Sequence, residues 1–463
     1  MRFTKRLLER RSSVLVLAAC SLSAAAGASC ASNEEQAASP APDALDAAAP
    51  DGSHPAADAA AEASSDVAPP PFDGGPLPVV CTSKPCARSL VTSSSAAGTV
   101  APRDGFCALL DDGTVACWGA NGDGQLGRGA AAGIADSANA ARVAGLSNVV
   151  ELDHTCARTD NGDVWCWGLG VHVRGDAVVY ASELAPVKVP IPRAKKIGVG
   201  SLVGCAATED DELLCWGENA YRQIDGSSTG GLRLPTPIQL PPGAPIRDVL
   251  VGNATFVLRE DGSTLSLGSN PPLARLSSLP NGDPHPAPTA LGVVSSMDLT
   301  TTSGCAIVNG VGYCWGAVDI LGLPAESAPS PLVNALPKPV VAPEPLVGIA
   351  TTSTAAIIDF AGDRIVWPQR WCAIGASGDV YCWGLNSQGQ AGDGTKDHAH
   401  RAVQVKGLPA PAAEVKTMPL STCALLTTGK VYCWGNNAYG QLGRGAFGMA
   451  EDGSLAPQEV VLP

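Results

Sequence analysis

The sequence predicts an all-β fold, a seven-bladed β-propeller, on the strength of three observations. A segment with two cysteines ten residues apart, "CALLDDGTVACWG" from Cys107, recurs along the chain. Seven copies start at intervals of 49, 49, 51, 49, 67 and 51 residues, and self-similarity at such a period is typical of propellers and solenoids. Glycine and proline are abundant, at 52 and 38 of 463 residues, which favours a turn-rich β protein over a helical one.

Each copy has the composition of one propeller blade. Alternating apolar residues flank a glycine-containing turn, which predicts an antiparallel hairpin. A tract such as "GANGDGQLGRG" then supplies turns, and a further strand such as "APVKVP" follows. Four short strands in roughly 50 residues is the size of a blade. Because "RSLVTSSS" precedes the first hairpin and "PQEVVLP" follows the last, we expect the C-terminal strand to complete the blade begun at the N-terminus and so close the ring.

The repeated cysteines are predicted to form disulfides across each hairpin. Directly opposite, non-hydrogen-bonded residues lie about 4.5 Å apart at Cα, within the range of about 4.4–6.8 Å that disulfides need. The fourth copy lacks both cysteines together, with Phe256 and Ser266 in their places, as paired thiols would require. Buried free thiols, or metal or redox chemistry, are the alternatives. The expected pairs are Cys107–Cys117, Cys156–Cys166, Cys205–Cys215, Cys305–Cys314, Cys372–Cys382, Cys423–Cys433 and Cys81–Cys86.

The first 30 residues are predicted to be an export signal of the lipoprotein type. A basic start, "MRFTKRLLERR", precedes the apolar, small-residue run "SSVLVLAACSLSAAAGASC", which resembles a bacterial lipoprotein signal. Either Cys30 or Cys20 would then carry the lipid, and an ordinary cleaved signal is the alternative. Export would also permit the disulfides, which a cytosolic protein could not keep.

A disordered linker over residues 31–87 is expected between the signal and the propeller, residues 88–463. Residues 31–75 carry nine acidic side chains and neither Lys nor Arg, and such a segment cannot bury enough apolar surface to fold. The formal net charge of −14 argues against binding to nucleic acid, which requires basic patches.

Several motifs suggest chemistry, but their contexts do not support it. "GDGQLG", with Gly122, Gly124 and Gly127, matches a dinucleotide fingerprint without the required βαβ unit. Ser228 lies in a GxSxG match without a strand-to-helix elbow. His398 and His400 could share a face and hold a metal, but two exposed histidines are more often solvated. We therefore expect no catalytic residue, no metal and no cofactor.

One irregular insertion is the candidate for contact with a partner. The 67-residue interval contains "TAAIIDFAGDRIVWPQRWC", about 16 residues beyond the norm, which predicts an extra hairpin. Aromatic residues and arginine are enriched at binding hot spots. The alternative is a degenerate blade hairpin, because Ala356 lies in register with the repeat. The candidate contact residues are Phe360, Arg364, Trp367, Arg370 and Trp371.

The "CAL…G.VYCWG" hairpin and the "WG.N..GQLG" tail resemble the repeats of the regulator of chromosome condensation (RCC-type) family. The tail is fullest at 118–127, 383–392 and 434–443, and the resemblance covers roughly residues 88–463. It implies a seven-bladed β-propeller, here as an exported bacterial lipoprotein. Some members are guanine-nucleotide exchange factors for a small GTPase, and others bind proteins without chemistry. An exported chain would not meet a cytosolic GTPase, so only the second role carries over.

The sequence therefore predicts a membrane-tethered, monomeric scaffold in the cell envelope that binds a protein of unknown identity and is not an enzyme. The repeated tryptophans after the second cysteine are expected to pack between blades. A module that binds carbohydrate or envelope polymer is the alternative and would need exposed loop aromatics. An enzyme is a further alternative and would need polar residues that converge from several blades at the central channel.

Overall fold

The computed structural model describes residues 72, 74–93, 103–227, 230–270, 272–316, 335–352, 355–358, 364–367, 370–448 and 453–463. All of them belong to one compact unit, Pro69–Pro463, and the other unit, Met1–Ala68, which contains Cys20 and Cys30, lies outside the described residues. The described residues form thirty β-strands and one short 3₁₀ helix, Ala130–Ala132. Within these ranges no helix has the length and apolar character needed to cross a membrane.

The prediction of a seven-bladed β-propeller is confirmed, because seven four-stranded antiparallel sheets follow one another along the chain. Blades 1 to 4 comprise β1 Ala87–Thr92, β2 Gly105–Leu110, β3 Val115–Gly119, β4 Ser137–Arg142; β5 Val149–Asp153, β6 Cys156–Thr159, β7 Val164–Arg174, β8 Ala177–Lys188; β9 Ala194–Val199, β10 Val203–Thr208, β11 Leu213–Glu218, β12 Leu232–Ile238; and β13 Ile246–Val251, β14 Ala254–Arg259, β15 Thr264–Ser269, β16 Gly282–Pro288.

The last three blades follow the same order, and the sixth contains an insertion. Blades 5 to 7 comprise β17 Val294–Leu299, β18 Ser303–Val308, β19 Val311–Gly316, β20 Lys338–Pro339; β21 Leu346–Thr351, β24 Arg370–Gly375, β25 Val380–Gly384, β26 Ala399–Gln404; and β27 Ala412–Thr417, β28 Ser421–Leu426, β29 Val431–Gly435, β30 Ser454–Glu459. Between the first two strands of blade 6, β22 Ala355–Ile358 and β23 Arg364–Trp367 pair as a separate hairpin. The first strand of each blade is innermost, since these strands contact one another around the ring.

The repeated hairpin forms the middle of each blade, as its sequence predicts. In blade 1, Cys107 lies directly opposite Cys117. The turn closes because Gly113 adopts a φ of 75°, a value that only glycine adopts without strain. The Asp112 side chain also accepts a hydrogen bond from the Thr114 N–H at 3.0 Å.

The tryptophans pack between blades, and this prediction is confirmed. Five of the six are less than 2 % exposed and Trp383 is 8 % exposed. Four indole N–H groups donate to a main-chain oxygen in the loop of the preceding blade, at 2.8–3.0 Å: Trp118 to Gln441, Trp167 to Gln125, Trp315 to Pro272 and Trp434 to Gln390.

The expected closure by strand exchange is wrong. Strand β30 pairs with β29 inside blade 7, and β1 pairs with β2 inside blade 1, so each blade is one continuous piece of chain. Five inner strands begin instead with an N–H that bonds to a glycine oxygen in the turn of the preceding blade, as Val149 does to the Gly113 oxygen at 2.9 Å. The Ala87 N–H makes the same bond to the Gly429 oxygen at 2.9 Å. The seam between blades 7 and 1 therefore has the same backbone bond as four other seams.

A strap of residues 72 and 74–86 precedes β1 and crosses the turns of blades 5, 6 and 7. A side-chain carbon added at Gly310 in blade 5 would lie 2.9 Å from the Phe72 ring, and one at Gly378 in blade 6 would lie 2.9 Å from Leu77. The Val80 N–H donates to the Thr427 oxygen in blade 7 at 2.7 Å. This part of the segment expected to be linker thus packs on the ring and spans the seam.

Candidate binding faces of the ring

The ring has two faces that differ in what they carry. We name the turn face for the turns between the second and third strands, such as Gly113, the links between blades and the strap. The loop face carries the connections between the first and second strands and between the third and fourth strands, such as residues 120–136. The inner strands run from the turn face to the loop face, because five of them begin with an N–H that bonds to a turn and all seven blades share one strand order.

Two departures from the repeat that the described residues show lie on the loop face. The β22–β23 hairpin connects the first and second strands of blade 6, so it leaves and rejoins the ring there. In blade 2, β7 and β8 continue past the blade as one long hairpin, where blades 1 and 6 have a loop. Binding residues concentrate on loops that a rigid scaffold positions.

The predicted contact residues fall into three groups. Phe360 lies outside the described residues, and Arg364 and Trp367 lie on β23, for which only the backbone is described. Arg370 and Trp371 are 1 % and 2 % exposed, which argues against direct contact with a partner. The Trp371 ring stacks on Trp383 at a centroid distance of 6.1 Å. The extra hairpin is present, but its last two candidate residues are part of the blade core.

Arg370 joins blades 6 and 7 from within. Its guanidinium donates to the main-chain oxygens of Met418, Ser421 and Gln390 at 2.8, 3.1 and 2.6 Å, and to the Thr422 hydroxyl at 2.7 Å. Burial lowers the pKa of Arg370 to about 9. Several hydrogen bonds of this kind are what make a buried cation tolerable.

Asp104 continues this network into blade 1. Its carboxylate accepts hydrogen bonds from the Ser421 hydroxyl at 2.6 Å and the Leu420 N–H at 3.1 Å. Burial raises the pKa of Asp104 to about 6, against the opposing effects of these bonds and of Arg370. Arg370 and Asp104 thus tie blades 6, 7 and 1 together beside the seam.

The long hairpin of blade 2 is a feature that the repeat-based analysis did not predict. Residues Gly175 and Asp176 form its two-residue turn, with Gly175 at a φ of 61°. A Gly-X pair between two β-rich runs is a recognised hairpin signal, and "VHVR" and "AVVY" flank it here. The local pattern predicts a hairpin, although the segment stands where other repeats carry the Gly-rich tail.

The hairpin leans toward blade 3. Val171 and Val173 are 8 % and 4 % exposed. Val173 belongs to the same core cluster as Trp216 of blade 3, and a side-chain carbon at Gly217 would lie 3.0 Å from Val171. Val171 pairs with Tyr180, and Val173 pairs with Val178. Tyr180 therefore lies on the hairpin face that is turned toward blade 3, yet it remains 44 % exposed.

The central channel gathers charged side chains from the inner strands. Equivalent positions of these strands carry Glu151, Asp153, Lys196, Asp248, Asp298, Glu414 and Lys416. Only the closed ring brings them together, because they are spread over 266 positions, from 151 to 416.

Three channel carboxylates bond to the next inner strand. Asp153 accepts from the Val199 N–H at 2.7 Å, Asp298 from the Thr351 N–H at 2.7 Å and Glu414 from the Leu90 N–H at 2.8 Å.

Burial raises the pKa of Asp153 to about 7 despite its bond to Val199. Burial alone would lower the pKa of Lys416, but Asp298, Glu414, Asp153 and Asp248 outweigh it and hold that pKa above its ordinary value.

The structure brings the sulfur atoms of all seven predicted cysteine pairs within bonding distance. The six cross-strand pairs have S–S distances of 2.00–2.14 Å, and Cys81 and Cys86 lie 1.97 Å apart. In blade 4, Phe256 and Ser266 face each other at the same register position. Cysteines at this spacing point to an oxidising environment.

Of the remaining motifs, "GDGQLG" takes part in the architecture. The Gln125 oxygen of "GDGQLG" receives the Trp167 indole bond, and Ser228 lies outside the described residues. The exposed rings of His398 and His400 are 4.5 Å apart. No group of three or more potential metal ligands occurs in the part of the chain that the structure describes.

Comparison with known proteins identifies the repeat. Residues 103–125, 152–172 and 421–441 match the family model "Regulator of chromosome condensation (RCC1) repeat". Three stretches of this chain therefore read as RCC1 repeats.

Curated relatives match over part of their length. The chain is 39 % identical over 74 residues to the human E3 ubiquitin-protein ligase HERC2, which covers 16 % of this chain and 2 % of that protein. It is 26 % identical over 259 residues to the Secretion-regulating guanine nucleotide exchange factor of Bos taurus, 54 % of this chain and 53 % of that protein. The chain thus spans a small part of the first relative and about half of the second.

Solved RCC1-like propellers share the fold. Human WBSCR16 superposes with a TM-score of 0.55 at 18 % identity, over 76 % of this chain and 95 % of that one. Yeast RCC1 (Prp20), solved bound to Kap60, gives a TM-score of 0.54 at 19 % identity, over 72 % and 78 %. Identities this low establish the fold alone.

Proposed function

We propose that this protein is an exported, lipid-anchored β-propeller that binds another protein at the cell envelope without catalysing a reaction. The observation that carries the binding role is that these two departures from the repeat lie on the loop face, whereas the turn face carries the strap. Scaffolds present function on variable loops. The solved complex of yeast RCC1 with Kap60 is an example of a related propeller that binds a protein.

Export and anchoring have separate support. The basic and apolar N-terminal segment favours export, and seven cysteine pairs at bonding distance suit an oxidising compartment. We expect fatty-acid labelling of the protein in cells to be abolished by either Cys30→Ala or Cys20→Ala, and retained in the other variant. Labelling that is absent from the wild type would contradict the anchor.

Photo-crosslinking in the native envelope tests the binding role. A photoreactive phenylalanine analogue would replace Phe447 on the loop face, which is 56 % exposed, or Val341 on the turn face, which is 92 % exposed. We expect one abundant protein to be captured from position 447 and not from position 341. Equal capture from both positions would count against the proposal, and retention on envelope polysaccharide would favour a carbohydrate-binding module.

The channel satisfies part of what an enzyme would need, because polar residues do converge there. Its carboxylates, however, already form hydrogen bonds or ion pairs within the ring. Three of them accept bonds from the adjoining inner strand, and Glu151 pairs with Arg158 at 2.7 Å and with Lys196 at 3.6 Å. We therefore assign the channel residues to holding neighbouring blades together.

A further inference from the structure

The outer strand of the long hairpin has a free edge. The two-residue turn makes Arg174 and Ala177 a hydrogen-bonded pair, and such pairs alternate along an antiparallel ladder. The backbone groups of Val178, Tyr180 and Ser182 therefore point away from β7. Among the described residues, no backbone hydrogen bond from another element reaches these three.

The same edge already forms a backbone hydrogen bond at Leu184, two residues after Ser182. The Leu184 oxygen, which points the same way, receives a hydrogen bond from the Gly129 N–H of blade 1 at 2.7 Å. The edge thus has the geometry for main-chain pairing at one end, while the remainder is open.

The open part lacks the features that usually protect an edge strand. Proteins block unwanted strand addition with proline, charged residues or bulges. Residues 177–182, "AVVYAS", contain neither proline nor a charged residue and include β-branched and aromatic side chains, which favour strands. The outer strands of the other blades carry protective residues: Arg142, Pro235 and Pro237, Pro284, Pro286 and Pro288, Pro339, Arg401, and Pro457.

Apolar side chains surround the open edge. Tyr180 is 44 % exposed, and strand β12 of blade 3, which contacts β8, exposes Leu232 and Leu234 at 39 % and 43 %. Two nearby cations are paired, Arg174 with Glu183 and Arg233 with Asp225. The carboxylates of Asp123 and Glu218 also lie near Tyr180, and they add to the effect of burial in raising its pKa, so an acidic segment would be disfavoured here. An added strand would therefore find main-chain partners along β8 and apolar contacts for alternate side chains, the mode of recognition called β-augmentation.

We propose that the free edge of β8 binds an extended, uncharged and apolar segment of a partner protein, which adds to blade 2 as a fifth strand. The inference rests on the proposed protein-binding function and specifies the site and the form of the partner. The edge lies on the loop face, opposite the strap, so a bound segment would not compete with the strap.

Amide hydrogen exchange of the full-length exported protein tests this proposal residue by residue. The probe is a detergent-solubilised envelope extract of the cells that make the protein, and exchange is read by mass spectrometry with backbone fragmentation. We expect the amides of Val178, Tyr180 and Ser182 to exchange at least about tenfold more slowly with the extract, because each gains a hydrogen bond. Val179 and Ala181 should change little, since they already pair with β7.

Matched variants separate the backbone from the side chain. Ser182→Pro removes one outward N–H and keeps the bonds to β7, since proline is tolerated at an edge position that faces solvent; Ser182→Ala keeps that N–H. We expect Ser182→Pro to need at least about tenfold more extract for the same slowing at Val178 and Tyr180, and Ser182→Ala to behave as the wild type. Tyr180→Lys keeps every backbone group but adds a charge to the edge, and it should weaken the slowing as well.

The other outcomes are distinguishable. Amide exchange at the edge could instead slow in the absence of extract, and more so at higher protein concentration. That result would mean that a second copy occupies the edge, and it would overturn the proposal of a partner segment. Slowing confined to other loops would overturn the edge site and leave the proposed function standing. Absence of slowing anywhere on the ring would contradict both.

Discussion

Single residues at the seams between blades determine how the ring holds together. Each tryptophan with an indole bond reaches a carbonyl of the preceding blade, and Arg370 and Asp104 add a buried polar link over three blades. The tryptophan role could be predicted from the sequence, because the residue recurs at one place in every cysteine-containing repeat. The Arg370–Asp104 link could not, since it joins residues 266 positions apart that occur once each.

Replacement of Trp167 by Phe should destabilise the propeller by roughly 1–3 kcal/mol. The change removes the indole N–H that donates to the Gln125 oxygen at 2.9 Å, leaves that buried acceptor unpaired and creates a small void. The free energy of unfolding in urea measures the effect. Trp165→Phe, at a half-buried position on the same strand, is the control and should cost less; an equal cost would contradict the seam role.

Asp104→Asn should change how stability depends on pH. The folded protein keeps the Asp104 proton up to about pH 6, whereas an unfolded chain releases it near pH 4. The folded state thus binds more protons in this window, and its stability falls as the pH rises from about 4 to 6. The isosteric variant lacks this loss, so it should gain on the order of 2–3 kcal/mol relative to the wild type between pH 4 and 7. Urea midpoints across that range measure it.

Asp112→Asn is the control, because the pKa of Asp112 is shifted in the opposite direction to that of Asp104. The Thr114 hydroxyl bond and Arg142 lower the pKa of Asp112 to about 2. This carboxylate therefore contributes stability above about pH 4 that is lost as the pH falls toward 2. The variant should therefore be less stable than the wild type by a constant amount above about pH 4, and this difference should shrink as the pH falls toward 2. A difference for Asp112→Asn that varies with pH between about 4 and 7, or a constant one for Asp104→Asn between about pH 4 and 6, would contradict these assignments.

At the scale of the element, the blade hairpin is the unit that the sequence describes best. The paired loss of cysteines at Phe256 and Ser266 indicated their register, and the structure places these two residues opposite each other. The strap could not be predicted, because residues 72–86 carry no repeat. Strand exchange was expected from the partial blades at the two ends, but the described strands pair within their own blades.

Removing one cross-strand pair, with Cys205→Ala and Cys215→Ala together, should lower the free energy of unfolding by roughly 2–3 kcal/mol. Each bridge closes a loop of only about ten residues, which limits the unfolded-state entropy that it removes. Urea denaturation of the oxidised proteins measures the loss. Under a strong reductant the variant and the wild type should converge; a difference that persists there would mean that packing, not the bridge, is responsible.

The complementary change, Phe256→Cys with Ser266→Cys, should form a new bridge in blade 4 without stabilising the protein. The two positions face each other, so oxidation should proceed without added catalyst. Loss of the fully buried Phe256 ring, which packs on Trp315 at 5.7 Å, costs about 3–5 kcal/mol and outweighs a bridge worth roughly 2–3 kcal/mol. Two persistent free thiols in the purified variant would contradict the register.

At the scale of the whole molecule, the sequence predicts the ring and the structure adds its two unlike faces. Seven repeats at one period indicate the number of blades. The repeat does not indicate on which face of the ring an inserted or extended hairpin will lie. Closure alone gathers the channel residues from Glu151 to Lys416, and the turn-to-loop direction of each inner strand alone places both irregular hairpins on the loop face. The proposed binding face therefore depends on topology, which composition and spacing do not reveal.

The central claim is a closed ring of blades whose hairpins are disulfide-bonded in an oxidising compartment. A count of free thiols tests it most directly. The exported protein would be denatured without reductant, alkylated and weighed by mass spectrometry. We expect no alkyl group on any of the fourteen cysteines from Cys81 to Cys433. Alkylation of several of these cysteines would contradict the claim.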